Sequence, residues 1–430
     1  MKSNSFYCTF DIKQGAMKFK DYNLHPQLQK GIEKAGLKRP TDIQYKSIPG
    51  ILKGEDVLAV AQTGTGKTAA FAIPILHKLH VQKQQARRDD GMRCLVMTPT
   101  HELALQVAKV FQNLGAHTLV TTMALIGGVD QEPQIEALKK GVDVLVATPG
   151  RFFDLISQGH LRPERIQILV LDEADHMLDL GFLQDISDLH RKLPAKRQTL
   201  FFSATINLHI KKMAYALINQ QAIRIQISPK DPVSKNVDHY VAAIEMDDKR
   251  FFLERIIKEN PESKILVFVR TKVRAERVAK AMERVDIQAL TIHSDKEQKD
   301  RSAVLRQFRE GTVRVLIATD VSARGIDIPG VTYVINYDLP EQAENYVHRV
   351  GRTGRGKARG QALSFCSPNE AELLEAIEAY IGKAIKVLDV EHGEYENTRL
   401  LSEDAGVSLE DMLSEIEELE SEKKRKKKKK

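Results

Sequence analysis

The stretch Ala61-Gln62-Thr63-Gly64-Thr65-Gly66-Lys67-Thr68 constrains this chain more than any other. The apolar run Val57-Leu58-Ala59-Val60 precedes it and Ala69-Ala70-Phe71-Ala72-Ile73 follows, so the local order reads buried strand, tight loop, helix. Glycine at 64 and 66 lets backbone N–H groups close on an oxyanion, and the first turn of the next helix adds partial positive charge. Lys67 would reach the β- and γ-phosphates of a nucleotide, and the Thr68 hydroxyl would meet Mg²⁺. The general pattern G-x-x-x-x-G-K-[ST] begins with glycine, where this chain has Ala61. Taken by itself, the loop could also be a plain strand-to-helix turn that contains GKT.

A chain of 430 residues and 48.5 kDa is long for one core and suggests two domains of roughly 200 residues each. No apolar run approaches the roughly 18 residues that a membrane span needs, and the N-terminus has no signal-peptide core, so a cytoplasmic protein is expected. Cys8, Cys94 and Cys366 have unrelated spacings that suggest neither a disulfide framework nor a zinc site. The net charge of +7 is misleading, because the basic run at 423–430 contributes +8 and leaves the rest of the chain at −1. If that near-neutral body holds a polyanion, it must do so with backbone donors and a few placed cations.

Along the chain, residues 1–18 read as an N-terminal extension in which Met17 is a possible start. Leu24, Leu28, Ile32 and Ala35 recur at helical spacing, with Gly36 ending that helix. Gln44 lies just ahead of the phosphate loop. Its amide can pair with adenine, or it can merely be exposed near a helix start that Pro40 and Thr41 cap. Four buried-strand runs then end in polar clusters: Cys94–Met97 before Pro99-Thr100, Val144–Ala147 before Thr148-Pro149-Gly150-Arg151, Ile168–Leu171 before Asp172, and Leu200–Phe202 before Ser203-Ala204-Thr205. Such strands alternating with helices predict an α/β fold with a parallel sheet, whose ligands gather at the carboxyl ends of the strands. Asp172-Glu173-Ala174-Asp175 sits at such an end. Asp172 is where a carboxylate holds Mg²⁺ through water, and Glu173 can deprotonate an attacking water; a solvated acidic loop is the alternative.

Residues 228–236, with two prolines among polar neighbours, read as a linker between a domain at 19–227 and one at 237–390. The second domain repeats the alternation, with strands expected at Lys264–Val269, Ala289–His293, Arg314–Ala318, Val331–Tyr337 and Ala362–Phe365, a helix at Lys249–Glu259, and a closing helix at Asn369–Ile381. It has no phosphate loop. It does carry His348-Arg349-Val350-Gly351-Arg352-Thr353-Gly354-Arg355, in which Arg352 and Arg355 can either meet a γ-phosphate or line a basic surface loop. Residues 391–430 form an acidic segment ending in lysines. Leu409, Met412, Leu413, Ile416 and Leu419 give it the spacing of a helix that could dock on a protein partner or on the core, or be a marginal helix on a disordered tail, and the basic run would add salt-sensitive affinity for a nucleic acid.

From Phe19 to Phe365 these motifs, in this order, resemble those of the DEAD-box RNA helicases. The resemblance implies two tandem RecA-like domains, each a mostly parallel sheet with helices on both faces, and an enzyme that hydrolyses ATP with Mg²⁺ on binding RNA. It implies that Phe19 stacks on adenine, that Gln44 reads it, and that Ala61 through Thr68 form the family's own loop, where alanine is usual at the first position. Lys67, Thr68, Asp172, Glu173 and Asp175 would carry the nucleotide chemistry, and Ser203 and Thr205 would couple it to strand separation. Asp327 would lie near the ribose, His348 would meet the acidic motif, and Arg352 and Arg355 would serve as arginine fingers. An RNA track is implied over Pro99, Thr100, Glu102, Gly127, Gly128, Thr148, Pro149, Gly150 and Arg151 in the first domain. In the second it runs over Arg270, Thr271, Gln298, Thr319 and Arg324. Contacts to the sugar-phosphate backbone imply little sequence preference. His101, Ser294 and the run Val269-Arg270-Thr271-Lys272 depart from the family's usual letters. A monomer that unwinds short duplexes or remodels RNA–protein complexes is expected, with an RNA clamp or a DNA translocase on the same paired domains as alternatives.

Overall fold

The computed structural model describes residues 17–62, 64–85, 91–227, 233, 236–323, 328–354 and 358–402. They form two compact units that divide at Val233. In the first, the strands are β1 (Val57–Ala61), β2 (Cys94–Met97), β3 (Thr122–Leu125), β4 (Val144–Ala147), β5 (Ile168–Leu171), β6 (Gln198–Ser203) and β7 (Ile223–Ile227). They pair in the order β3-β4-β2-β5-β6-β1-β7, and every pair is parallel. The helices are α1 (Pro26–Lys34), α2 (Asp42–Lys53), α3 (Lys67–Gln85), α4 (His101–Leu114), α5 (Glu132–Lys139), α6 (Pro149–Ser157), α7 (Ala174–Asp179), α8 (Leu183–Lys192) and α9 (Leu208–Leu217).

The sheet is apolar on both faces because its strands are. Alternate residues separate into two cores: Val57, Ala59, Val96, Val146, Val170 and Phe202 pack on one side, and Leu58, Leu95, Leu145, Leu169, Leu171 and Phe201 on the other. A continuous hydrophobic run is what a strand covered by helices on both faces requires, and the sequence shows it at the central strands. It shows less at the edges. β3 is only partly buried along most of its length, and β7 alternates exposed and covered residues, so neither reads as a buried run.

The second unit contains β8 (Val237–Ala243), β9 (Ile265–Phe268), β10 (Ala289–Ile292), β11 (Val315–Ala318), β12 (Tyr333–Asn336), β13 (Gly360–Cys366) and β14 (Lys386–Leu388). Their order, β10-β11-β9-β12-β13-β8-β14, repeats that of the first unit position for position, again wholly parallel. Its helices are α10 (Lys249–Glu259), α11 (Lys272–Arg284), α12 (Gln298–Glu310), α13 (Asp320–Ala323), α14 (Ala343–Val350), α15 (Ala371–Ile381) and α16 (His392–Leu400). The expected closing helix divides into a short 3₁₀ turn, Pro368–Glu370, and α15.

Within the stretch from 391, α16 packs against α10. Tyr395 lies 4.9 Å from the Phe252 ring, while Arg255 reaches Glu394 at 2.5 Å and Thr398 at 3.0 Å. The acidic helix expected beyond Ser402, the basic run, residues 1–16 and residues 228–232, 234 and 235 of the linker lie outside the described residues. Among the described residues no helix is long and apolar enough to cross a membrane.

Candidate active site

The first unit's order sorts its candidates by chemistry. The phosphate loop follows β1, and the acidic motif and Ser203-Ala204-Thr205 follow β5 and β6, so the nucleotide candidates lie at one part of the carboxyl edge. The candidate RNA residues follow β2, β3 and β4, three neighbouring strands on the far side of β5. This is the edge at which open α/β sheets collect ligands.

In the loop, Gly64 and Gly66 have φ of +84° and +92°, a backbone conformation open to glycine at little cost. At Gly66 space is limiting as well, since a Cβ would come within 2.4 Å of the Gln44 amide nitrogen. Gln44 is buried; its oxygen accepts from the Thr41 N–H at 2.9 Å and its amide donates to the Gly66 carbonyl at 3.1 Å. The Thr41 hydroxyl donates to the Thr65 carbonyl at 2.7 Å. In this structure Gln44 and Thr41 therefore brace the loop from behind, a role the reading of Gln44 toward adenine did not include. Phe19 is 3% exposed and lines a cavity of about 530 Å³ with Gln29, Ile32, Leu37, Lys38 and Arg39.

Lys67, the first residue of α3, is 7% exposed, and its ammonium has no hydrogen-bond partner among the described residues. A buried cation left unmatched is costly in a fold and points to an anion that completes it. With the two glycines and a helix N-terminus around it, the loop fits the phosphates of a nucleotide. Thr68 is partly exposed on the same turn. Thr63, Arg324, Asp327 and Arg355 lie outside the described residues.

Asp172 is 2% exposed and accepts from the Glu173 N–H at 3.1 Å. Burial pushes its carboxyl up to about 7; the Lys67 charge opposes this and Glu173 adds to it. Glu173 itself stands in the left-handed region, with φ and ψ both 51°, a strained backbone for a residue with a side chain. Asp175 ties this motif to the next strand: one carboxylate oxygen accepts from the Ala204 N–H, the Thr205 N–H and the Thr205 hydroxyl at 3.1, 2.9 and 3.0 Å. The Ser203 hydroxyl, fully buried, donates to the Thr205 carbonyl at 2.8 Å. These bonds join the acidic motif to the Ser203-Ala204-Thr205 segment.

On the other three strands, Thr100 caps α4 and accepts from the Leu103 N–H at 3.3 Å; Glu102 is buried beside it. His101 lies against Gly127, where a Cβ would stand 3.5 Å from the imidazole. Gly128 has φ of +68°. Thr148 and Pro149 open α6, Gly150 is exposed, and Arg151 donates to the Val129 carbonyl at 2.9 Å, fastening the loop after β3 to the start of α6. Two helix N-termini and a cation thus share one edge, which suits a backbone of phosphates.

In the second unit the candidates occupy the equivalent strand ends. Arg270 and Thr271 follow β9, Gln298 opens α12 after β10, and Thr319 follows β11. The Arg270 N–H donates to Asp338 at 2.9 Å and its guanidinium reaches Glu370 at 3.3 Å, while Thr271 caps α11. The Thr319 hydroxyl donates to Ser322 at 3.2 Å. Arg352 is 5% exposed and donates to the His348 carbonyl at 3.2 Å. Beside them is a residue that the sequence reading gave no role. Arg349 is 1% exposed and makes a forked pair with Asp320 at 2.5 and 2.7 Å, donates to Asn336 and to the Asp338 carbonyl, and lies over the Phe268 ring. It joins the ends of β9, β11 and β12 to α14, so it fixes the helix that bears His348 and Arg352. Its only sequence signal was its place beside His348 in an arginine-rich motif.

Two family models match, the DEAD/DEAH box helicase over residues 41–213 and the helicase conserved C-terminal domain over residues 248–357. The chain is 42% identical over 360 residues to the DEAD-box ATP-dependent RNA helicase CshA of Geobacillus kaustophilus, covering 84% of this chain and 76% of that one. The chain belongs to the DEAD-box ATP-dependent RNA helicases. A CshA from Bacillus subtilis is 39% identical over the same length, with 72% of it covered. Among solved structures, S. cerevisiae Dbp5 bound to RNA and ADP BeF3 matches with a TM-score of 0.78 and 29% identity, over 91% of this chain and all of that one. Mss116 bound to ssRNA and UDP-BeF matches at 0.82 with 25% identity, over 95% and 87%. The RecA-like pairing expected for a DEAD-box helicase is the fold observed, with both sheets wholly parallel. Nucleotide use follows from the family and agrees with the unmatched Lys67.

Proposed function

We propose that this DEAD-box helicase hydrolyses ATP in response to RNA and uses the cycle to separate short RNA duplexes or remodel RNA–protein complexes, acting as a cytoplasmic monomer. The observation that carries the reading is the buried Lys67 ammonium at the head of α3, without a hydrogen-bond partner among the described residues, in a loop braced by Thr41 and Gln44 and electrostatically coupled to Asp172. Lys67 and the loop amides bind the β- and γ-phosphates, and Phe19, Gln44 and Asp327 receive the adenosine. Thr68 directly, and Asp172 through water, would hold Mg²⁺, whose chemistry when bound is to offset the phosphate charge. Glu173 orients the attacking water and takes its proton. Arg352 and Arg355 offset the charge that develops on the transferred phosphoryl group, with His348 beside them.

Asp175 carries the state of the nucleotide to Ser203 and Thr205, and the three hydrogen bonds it accepts support that role. RNA binds through its sugar-phosphate backbone along Pro99, Thr100, Glu102, Gly127, Gly128 and Thr148–Arg151. On the second unit it meets Arg270, Thr271, Gln298, Thr319 and Arg324, so the enzyme tolerates many sequences. A protein partner would use the acidic segment after 402.

The test is ATP hydrolysis with and without single-stranded RNA, together with displacement of a short duplex. Glu173→Gln should bind ATP and RNA yet lose RNA-stimulated hydrolysis, and retention of hydrolysis would remove Glu173 from the chemistry. Equal stimulation by DNA of the same length would refute the RNA reading.

A further inference from the structure

His176 lies in the first turn of α7 and is 3% exposed, with both ring nitrogens sealed from solvent and without a hydrogen-bond partner among the described residues. Its Nδ1 stands 3.7 Å from a carboxylate oxygen of Glu173. An apolar side chain would fill the same space without leaving two polar atoms unmet, so packing does not account for an imidazole here. The contact distance is about 0.5 Å beyond the long end of an N–H···O hydrogen bond.

Glu173 gives their proximity a purpose. Its backbone is held in the left-handed region, and it accepts no role in capping α7 with its side chain, so its direction has to be set by what surrounds the carboxylate. A proton on Nδ1 makes the imidazole a donor to the carboxylate; a proton on Nε2 would turn a lone pair toward the negative charge. We propose that His176 is a positioning residue for hydrolysis, donating from Nδ1 to Glu173 once nucleotide is bound and holding the carboxylate toward the attacking water. The inference rests on the reading of Glu173 as the group that takes the water proton.

The test is steady-state hydrolysis by full-length protein with saturating RNA. His176→Phe keeps the ring and removes the donor, and His176→Asn returns an amide N–H near the place of Nδ1. The Phe variant should lose about tenfold in kcat, with KM for ATP and RNA affinity unchanged and the urea midpoint unchanged or higher. The Asn variant should recover most of kcat. A residue needed only for packing would give the opposite pattern, with the midpoint falling and Asn no better than Phe. Wild-type kcat in His176→Phe overturns the proposal, and so does an equal loss in both variants. If the Phe variant does not fold, His176→Leu takes its place with the same expected readings. Glu173→Gln separates the two levels: if it still hydrolyses ATP, the reading of Glu173 fails, whereas if it is inactive while His176→Phe is normal, only the role of His176 fails.

Discussion

The two units have one topology and opposite answers to the same electrostatic problem. In each, the strand next to the final edge strand, β1 or β8, leads through a short loop into a helix whose first residue is a buried lysine, Lys67 in α3 and Lys249 in α10. The first loop contains Gly64 and Gly66 and leaves the Lys67 ammonium without a hydrogen-bond partner among the described residues. The second loop reads Ile244-Glu245-Met246-Asp247-Asp248 and has no glycine. Lys249 there is completely buried and carries its own anion, Glu370, at 2.5 Å, with the Phe365 carbonyl at 3.2 Å. The helix α16 closes the rest: the Tyr395 hydroxyl accepts from the Glu245 N–H at 3.0 Å and donates to Asp248 at 2.9 Å. The first unit keeps a buried ammonium beside two glycines; where the second supplies a carboxylate and a tyrosine instead, the same geometry becomes a structural joint.

The largest effect expected from this difference is on activity. Lys67→Ala should lower RNA-stimulated ATP hydrolysis about a thousandfold, some 4 kcal/mol of transition-state stabilisation, while leaving the urea midpoint unchanged or raised. A variant that hydrolyses ATP normally would break the comparison. Next in size, Lys249→Ala strands a buried carboxylate and should destabilise the second unit by about 3 kcal/mol, with ATP affinity unaffected. Urea unfolding followed by nucleotide binding on the same samples separates the two lysines.

The titration of their carboxylate neighbours should also differ in sign. Burial lifts Asp172 from 3.8 to about 7, so between those values the nucleotide-free fold keeps a proton that the unfolded chain has released. Its contribution is therefore lost as pH rises across that window and is level above it; Asp172→Asn should remove the slope between urea midpoints at pH 5 and pH 8. Burial works to raise Glu370 too, but Lys249 and Ser367 outweigh it and hold the carboxyl below its ordinary 4.5. Its contribution is present above that value and lost as pH falls through the lower folded one. Glu370→Gln should flatten the acid limb alone. The smallest effect is at the closing helix, where Tyr395→Phe should cost about 1 kcal/mol by urea titration and leave hydrolysis unchanged.

Much of this was legible in the letters. Most central strands announce themselves because a strand covered on both faces must be apolar at every position, and the helix at Lys249–Glu259 has the bounds read from its periodicity; β8, between β13 and β14, is mixed in composition and was not among the expected strands. The edge strands β3, β7 and β14 are half covered or exposed, and their mixed composition gave no comparable signal. At the site, the phosphate loop and the acidic motif were visible because their chemistry is local: a glycine's freedom, a helix terminus and an acid at a strand end are all encoded within a few residues.

The residues that brace the site were not visible in that way. Gln44 meets Gly66 across 22 positions, Asp175 meets Thr205 across 30, and Lys249 meets Glu370 across 121. Periodicity and motif spacing therefore indicated parallel α/β sheets, with a loop of phosphate-binding pattern in the first half, because backbone sterics and hydrophobic alternation act along the chain. Which buried charges find a partner and which are left for a ligand was decided by the tertiary structure alone. Coulombic and hydrogen-bond energies depend on distances in space, which sequence separation does not fix.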